Sequence, residues 1–188
     1  NPRVASGLGV IPRVVANGRA IYAGKLALTE AQARLHGFWR PYHDALQTLV
    51  DQSHAQFGEA ILIDCHSMPH EALENIGPVG APRPDVVLGD RFGAAAAASV
   101  VERIEAAFAS AGLRVVRNMP FAGAYITQAY GRPSRHQHAV QVEIDRALYM
   151  DERKVEPRAD FADFQRLLAG VVAELADIGR PELRVAAE

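Results

Sequence analysis

From Thr29 to Gly58 the apolar residues Leu35, Phe38, Trp39, Tyr42, Leu46 and Leu49 recur three or four positions apart, the period of one helical face. Thr29-Glu30-Ala31-Gln32 has the form of a capping box, so a helix is expected to start there, bend at Pro41 and stop at Gly58. A second helix is expected over 94–111, with Ala97, Val100, Val101, Ile104 and Phe108 inward and Gly112 closing it. A third, capped by Asp160, lays Phe161, Phe164, Leu167, Leu168, Val171, Val172, Leu175 and Ile178 along one stripe before Gly179 and Pro181.

Between these stretches the pattern changes. Ala60-Ile61-Leu62-Ile63 is a continuous apolar run, which predicts an interior strand over 60–64. Val86–Leu88, Leu113–Arg117 and Ala124–Tyr130 are further strand candidates. Over His138–Arg146 the alternation is strict: Val140, Val142 and Ile144 point one way, Gln141, Glu143 and Asp145 the other. Residues 1–28 read as extended chain and loop, and the Gly- and Pro-rich stretch 68–84 as either a functional lid or an irregular loop. Strands interleaved with helices imply an α/β fold, a three-layer α/β/α sandwich, and strand neighbours without an intervening helix imply a mixed central sheet. No repeat or linker divides the chain, so a single domain over 1–188 is expected.

Composition narrows the function classes. With 188 residues, 49% hydrophobic and 22% charged, the chain is ordinary globular material, and a net charge of -2 gives no basic footprint for nucleic acid or an anionic membrane. No stretch approaches the roughly 20 apolar residues that span a bilayer. The basic residues are nearly all Arg, suited to carboxylate binding through bidentate forks, although genome composition explains the bias equally well. A lone cysteine, Cys65, cannot make an internal disulfide, which suits the cytoplasm.

The candidate chemistry clusters after the first strand. In Ile63-Asp64-Cys65-His66-Ser67-Met68-Pro69-His70 polar residues begin where the strand should surface, and carboxyl ends of strands are where open α/β sheets bind ligands. His66 could ligate zinc with a nearby carboxylate fixing its ring, or be a hydrogen-bonded strand-end histidine. His70 would meet His66 on a helix, but Pro69 argues against one. Glu143 faces solvent, a partner or a site, and its polar neighbours Gln141 and Asp145 fit a solvated sheet face as well as a functional one. Arg135, His136 and His138 are anion contacts or exposed charge, and Asn118-Met119-Pro120-Phe121-Ala122-Gly123 reads as a sharp turn. A Cys65–His66 thiol pair is disfavoured because adjacent strand residues face opposite ways, and no nucleophile elbow or nucleotide fingerprint is present.

Asp64-Cys65-His66-Ser67-Met68, Leu88-Gly89-Asp90-Arg91-Phe92-Gly93, Asn118–Gly123 and Gln141-Val142-Glu143-Ile144-Asp145-Arg146 with Leu148-Tyr149 together resemble the N-formylglutamate amidohydrolase family. Gly7-Leu8-Gly9-Val10-Ile11 and Pro41-Tyr42-His43 add to the likeness, which covers most of the chain. The resemblance implies a fold similar to zinc carboxypeptidases, one zinc ion with His66 as a ligand, and Glu143 as general base. It implies Asp64 and Ser67 behind the ligand, and Arg135, His136, His138, Asn118 and Gln141 as contacts for a small anionic N-acyl amino acid. The implied reaction is N-formyl-L-glutamate plus water to formate and L-glutamate, in amino-acid or histidine catabolism. A carboxypeptidase-like or peptidoglycan amidase, or a non-catalytic anion-binding relative, are the alternatives. The family's Pro-His-Ser-Gly and a His-x-x-Glu-like segment do not occur in the sequence, so further metal ligands are expected upstream of Asn1. Oligomeric state is not indicated.

Overall fold

The computed structural model describes residues 9–15, 18–74, 76, 80 and 82–179, and the Gly7-Leu8 part of the first motif lies outside them. The chain divides into two compact units, residues 1–49 and 50–188, and the division falls inside a helix, where no Gly/Pro-rich linker marks it.

In the first unit, a bridge between Val14 and Ala20 is followed by α1 (Leu28–Arg34) and a π-helical turn at Leu35–Trp39. The expected capping box does not form: the helix begins one residue before Thr29, its N-cap is Ala27, and no side chain caps it. The π turn stands immediately ahead of Pro41, whose ring and missing N–H are incompatible with regular α-helical bonding to the preceding turn. The expected inward stripe is largely solvent-facing at Phe38, Tyr42 and Leu49. Helical period identifies a face; burial requires something to cover it.

α2 (Arg40–Phe57) leads to β1 (Ala60–Met68) through Gly58, whose φ of 74° suits a residue without a side chain. The second unit is built on a four-stranded mixed sheet in the order β1-β4-β2-β3, with β2 at Val86–Gly89, β3 at Val115–Arg117 and β4 at Gln137–Asp145. β1 runs parallel to β4 and β2 parallel to β3, whereas β2 and β4 are antiparallel. Against one face pack α3 (Ala98–Ser110) and α5 (Phe161–Ala176), burying Val100, Val101, Ile104, Phe108 and Val171 on Val86, Leu88, Val140 and Val142. Each such side chain contributes about 1.5–3 kcal/mol when fully buried. Met68, Leu73 and Val87 form a smaller cluster with Phe121 and Val116. A hairpin of β5 (Met150–Asp151) and β6 (Glu156–Pro157) precedes α5, where Tyr149 stacks on Phe164.

Several expectations change here. β1 extends through Asp64, His66 and Met68 instead of ending near 64, because β4 pairs with it over all nine positions. Ala124–Tyr130 is not a strand: α4 (Tyr125–Tyr130) forms there, since the Ala124 N–H is bonded by the Gln141 side chain and Thr127 and Tyr130, one turn apart, are both buried. Local β propensity gives way to tertiary contacts. Asp160 makes no side-chain cap; its carboxylate pairs with Arg158, which lowers its pKa.

Candidate active site

β4 lies between β1 and β2 in the sheet, and α4 packs against it, with the Ala124 N–H bonded to Gln141 on its polar face. Gln141 and Asp145 are each 4% exposed and Glu143 8%, which overturns the reading of that face as solvated. The parallel register sets Asp64 beside Gln141, His66 beside Glu143 and Met68 beside Asp145. Alternation then puts Asp64, His66, Gln141, Glu143 and Asp145 on one face, toward the carboxyl ends of two parallel strands.

Within this group the contacts are directional. The Gln141 amide nitrogen donates to Glu143 Oε1 at 2.7 Å, while its oxygen accepts the Ala124 N–H at 2.8 Å. Gln141 therefore ties the start of α4 to the carboxylate. Burial pushes the Glu143 pKa up, assisted by the Asp64 charge, while His66, the Gln141 hydrogen bond and Arg146 pull the other way. The result is a carboxyl group raised above its ordinary range and held in a fixed position, the condition a general base requires.

Asp64 Oδ2 lies 3.0 Å from His66 Nε2, yet it is a buried oxygen with no hydrogen-bond partner. An imidazole nitrogen beside an orphaned carboxylate oxygen suits a divalent cation, which would satisfy both. Among the described residues no group of three or more His, Cys, Asp or Glu could hold a metal ion, so these two alone would not complete a ligand set.

The remaining candidates separate. Asn118 is spent on a turn: its oxygen accepts from the Asp90 and Phe92 N–H groups, and its nitrogen donates to Asp90 Oδ1 at 2.7 Å. Ser67 points to the opposite face from His66, and its hydroxyl and carbonyl both receive Arg146. Arg135 and His136 precede β4, whose extended run from Gln137 to Glu143 is roughly 20 Å long. His138 shares the Val140 and Val142 face, away from Glu143. It is 3% exposed, accepts the Ala97 N–H at Nδ1 and meets Glu59 at 3.0 Å through Nε2. Burial lowers its pKa against the pull of Glu59. The structure thus brings His66, Asp64, Gln141 and Glu143 together and leaves Arg135, His136 and His138 elsewhere.

One feature of this end of the sheet had only a weak trace in the sequence. Asp145 Oδ2 is 2.6 Å from His70 Nδ1, and Arg83 donates to His70 Nε2 at 2.7 Å. Since guanidinium only donates, Nε2 accepts and Nδ1 carries the ring proton. Arg146 directly follows β4 and acts on Glu143 through its charge. Its position after an alternating strand was the available signal; the His70–Asp145 pair, 75 residues apart, left none.

A mixed α/β sheet that sets a buried carboxylate beside a histidine near its strand ends is an arrangement suited to acid–base chemistry. The sequence profile of N-formylglutamate amidohydrolase matches residues 1–150, and the chain belongs to that family. It is 34% identical over 176 residues to the N-formylglutamate deformylase of Pseudomonas aeruginosa, covering 90% of this chain and 63% of that protein. Against the N-formylglutamate deformylase of Pseudomonas putida the identity is 35% over 151 residues, covering 77% and 54% respectively. The crystal structure of N-formylglutamate amidohydrolase from Ralstonia eutropha JMP134 superposes with a TM-score of 0.83 at 33% identity, over 95% of this chain and 63% of that one. The chain therefore spans under two thirds of the length of these relatives.

Proposed function

We propose that the full-length protein hydrolyses the formamide bond of N-formyl-L-glutamate, releasing formate and L-glutamate, within amino-acid catabolism in the cytoplasm. The observation that carries this reading is the buried Glu143, raised in pKa and set beside His66 by the β1–β4 register. The names of the two Pseudomonas relatives supply the substrate.

In this reading Glu143 takes a proton from water as the water oxygen bonds to the formyl carbon. It then passes that proton to the amide nitrogen, so that the C–N bond breaks with an amine, not an amide anion, leaving. Gln141 keeps the carboxylate aimed throughout. His66 would hold a zinc ion, with Asp64 beside it and the other ligands drawn from outside the described residues. When bound, such an ion supplies Lewis-acid polarisation of the formyl oxygen and a more acidic water.

The test is formate release by the full-length protein, alongside zinc content measured by elemental mass spectrometry. Glu143→Gln should retain zinc and fold while turnover falls by about 10²–10⁴-fold, the range of general acid–base loss. His66→Ala should lose zinc. Wild-type protein that binds N-formylglutamate without releasing formate would establish an anion-binding relative instead.

A further inference from the structure

We propose that Arg91 takes the side-chain carboxylate of the substrate; the inference deepens the N-formylglutamate reading above and rests on it. Among the described residues four arginines are half-buried: Arg34, Arg83, Arg91 and Arg146. Arg34 donates to Glu30 and Tyr22, Arg83 to His70, and Arg146 to the Ser67 hydroxyl and carbonyl. Of these four, the Arg91 guanidinium alone makes no hydrogen bond or ion pair among the described residues. A half-desolvated cation without an internal partner keeps its charge for an incoming anion, and a guanidinium meets a carboxylate with two parallel N–H donors.

The fold sets that charge beside the polar face of β4. β2 runs antiparallel to β4 with Gly89 opposite Gln141, and cross-strand partners share a face, so the chain leaves β2 at the Gln141 end of the site. Gly89 has no side chain there, and backbone takes the room: an added Cβ would stand 2.5 Å from the Gly123 nitrogen and 2.8 Å from the Ala122 carbonyl carbon. Gly123 is enclosed in turn, since its own Cβ would meet Thr127 Oγ1 at 2.5 Å and Arg91 Cγ at 3.2 Å. The Arg91 stem therefore lies against the residue before Ala124, whose N–H is joined to Glu143 through the Gln141 amide. With contacts of 2.8 and 2.7 Å on either side of that one amide, the Ala124 nitrogen is at most about 8 Å from Glu143 Oε1. In N-formylglutamate the side-chain carboxylate carbon is four bonds, roughly 5 Å, from the reacting nitrogen, and the bonds from Cγ to the guanidinium carbon give Arg91 roughly 4 Å of reach. Ala124 is half-buried and Tyr125 48% exposed, which leaves the start of α4 open to solvent.

The loop that carries Arg91 is fixed by its own hydrogen bonds. Arg91, Phe92 and Gly93 have φ of 56°, 56° and 84°, three left-handed residues in succession, and Asn118 beside them has 61°. For Arg and Phe that region is sparsely populated and persists only where the surroundings enforce it. Here the Arg91 N–H donates to the Ala122 carbonyl at 2.7 Å, the Phe92 N–H to Asn118 Oδ1 at 3.2 Å and the Gly93 N–H to Asp90 Oδ2 at 3.1 Å. Successive left-handed N–H groups can cradle an anion, but all three are spent within the loop. The adjacent carboxylate is spent as well, Asp90 accepting from Gly93 on one oxygen and from Asn118 Nδ2 on the other. What remains for a ligand is the Arg91 guanidinium, on a base so constrained that little order is lost when an anion binds.

The experiment is steady-state formate release by the full-length protein on N-formyl-L-glutamate and on N-formyl-L-glutamine, which keeps the α-carboxylate but lacks the side-chain charge. Arg91→Gln should cut kcat/KM on N-formylglutamate by about 10–100-fold, mainly through KM, the size of a lost charge-assisted hydrogen bond. It should lower kcat/KM on N-formylglutamine far less, so that discrimination between the two collapses, and Arg91→Lys should recover part of it. A merely structural arginine would depress both substrates alike. An equal loss on both for Arg91→Gln, or no loss on either, therefore overturns the contact and leaves the hydrolase reading intact. Wild-type protein that releases no formate overturns the hydrolase reading instead, and calorimetric binding of the same two compounds then reads Arg91 by itself. There, an affinity ratio unchanged by Arg91→Gln overturns the contact, and a ratio that falls about 10–100-fold supports it.

Discussion

Gln141→Leu isolates the contact that joins the two halves of the site. The substitution preserves apolar volume but removes both polar ends, leaving Glu143 Oε1 and the Ala124 N–H without the partners they have at 2.7 and 2.8 Å. An unsatisfied buried polar group costs about 1–3 kcal/mol, more where it is charged, so the pair should cost about 2–4 kcal/mol. Total stability for a domain is about 5–15 kcal/mol, so the loss is large in proportion. For a chain of this size each kcal/mol moves Tm by about 2–4 °C, which gives a fall of about 4–16 °C. Thermal melts of metal-stripped wild type and variant read it directly. A second readout is the acid limb of kcat/KM: without the hydrogen bond that favours its charged form, the Glu143 pKa should rise further and the limb should move to higher pH. An unchanged Tm would mean that water replaces Gln141 at no cost. A limb that stays put would remove Glu143 as the titrating group.

Other consequences follow from the same geometry. The folded Glu143 pKa is raised, so its protonated form contributes stability at low pH that is lost as pH rises through the folded value. Glu143→Gln should therefore raise Tm at neutral pH relative to wild type and do so less in acid, as scanning calorimetry of the metal-free protein would show. His138 has a lowered pKa, so the unfolded chain binds its proton first and stability should fall as pH drops below about 6.5, the ordinary histidine value. His138→Gln should flatten that slope in urea titrations. At Gly131 an added Cβ would lie 2.6 Å from both Cα and O of Ala95, whose carbonyl is bonded to the Ala139 N–H. Gly131→Ala should cost at least the upper end of the about 1–3 kcal/mol typical of overpacking, read as a lower urea midpoint.

The sequence determined the elements whose local pattern and packing agree. The Val100–Phe108 period, the Val86 run and the strict alternation of Val140 to Asp145 each specified an element and its inward side. It also singled out His66 and Glu143, which the β1–β4 register sets side by side, and a motif order specific enough to mark the family. What it could not decide is which polar face would be covered. Alternation defines two faces of β4, but only its interior place in the sheet together with the packing of α4 against it turns Gln141 and Glu143 from surface residues into a buried pair. The same step separates Arg135, His136 and His138 from Glu143, since distance along a strand and the side it faces are properties of the folded sheet. Ala124–Tyr130 shows the reason in miniature: a β-leaning segment becomes helical because Gln141, contributed by a distant strand, binds its first amide. Contacts between residues tens of positions apart carry no local signature, and tertiary structure alone brings Arg83, His70 and Asp145 into line.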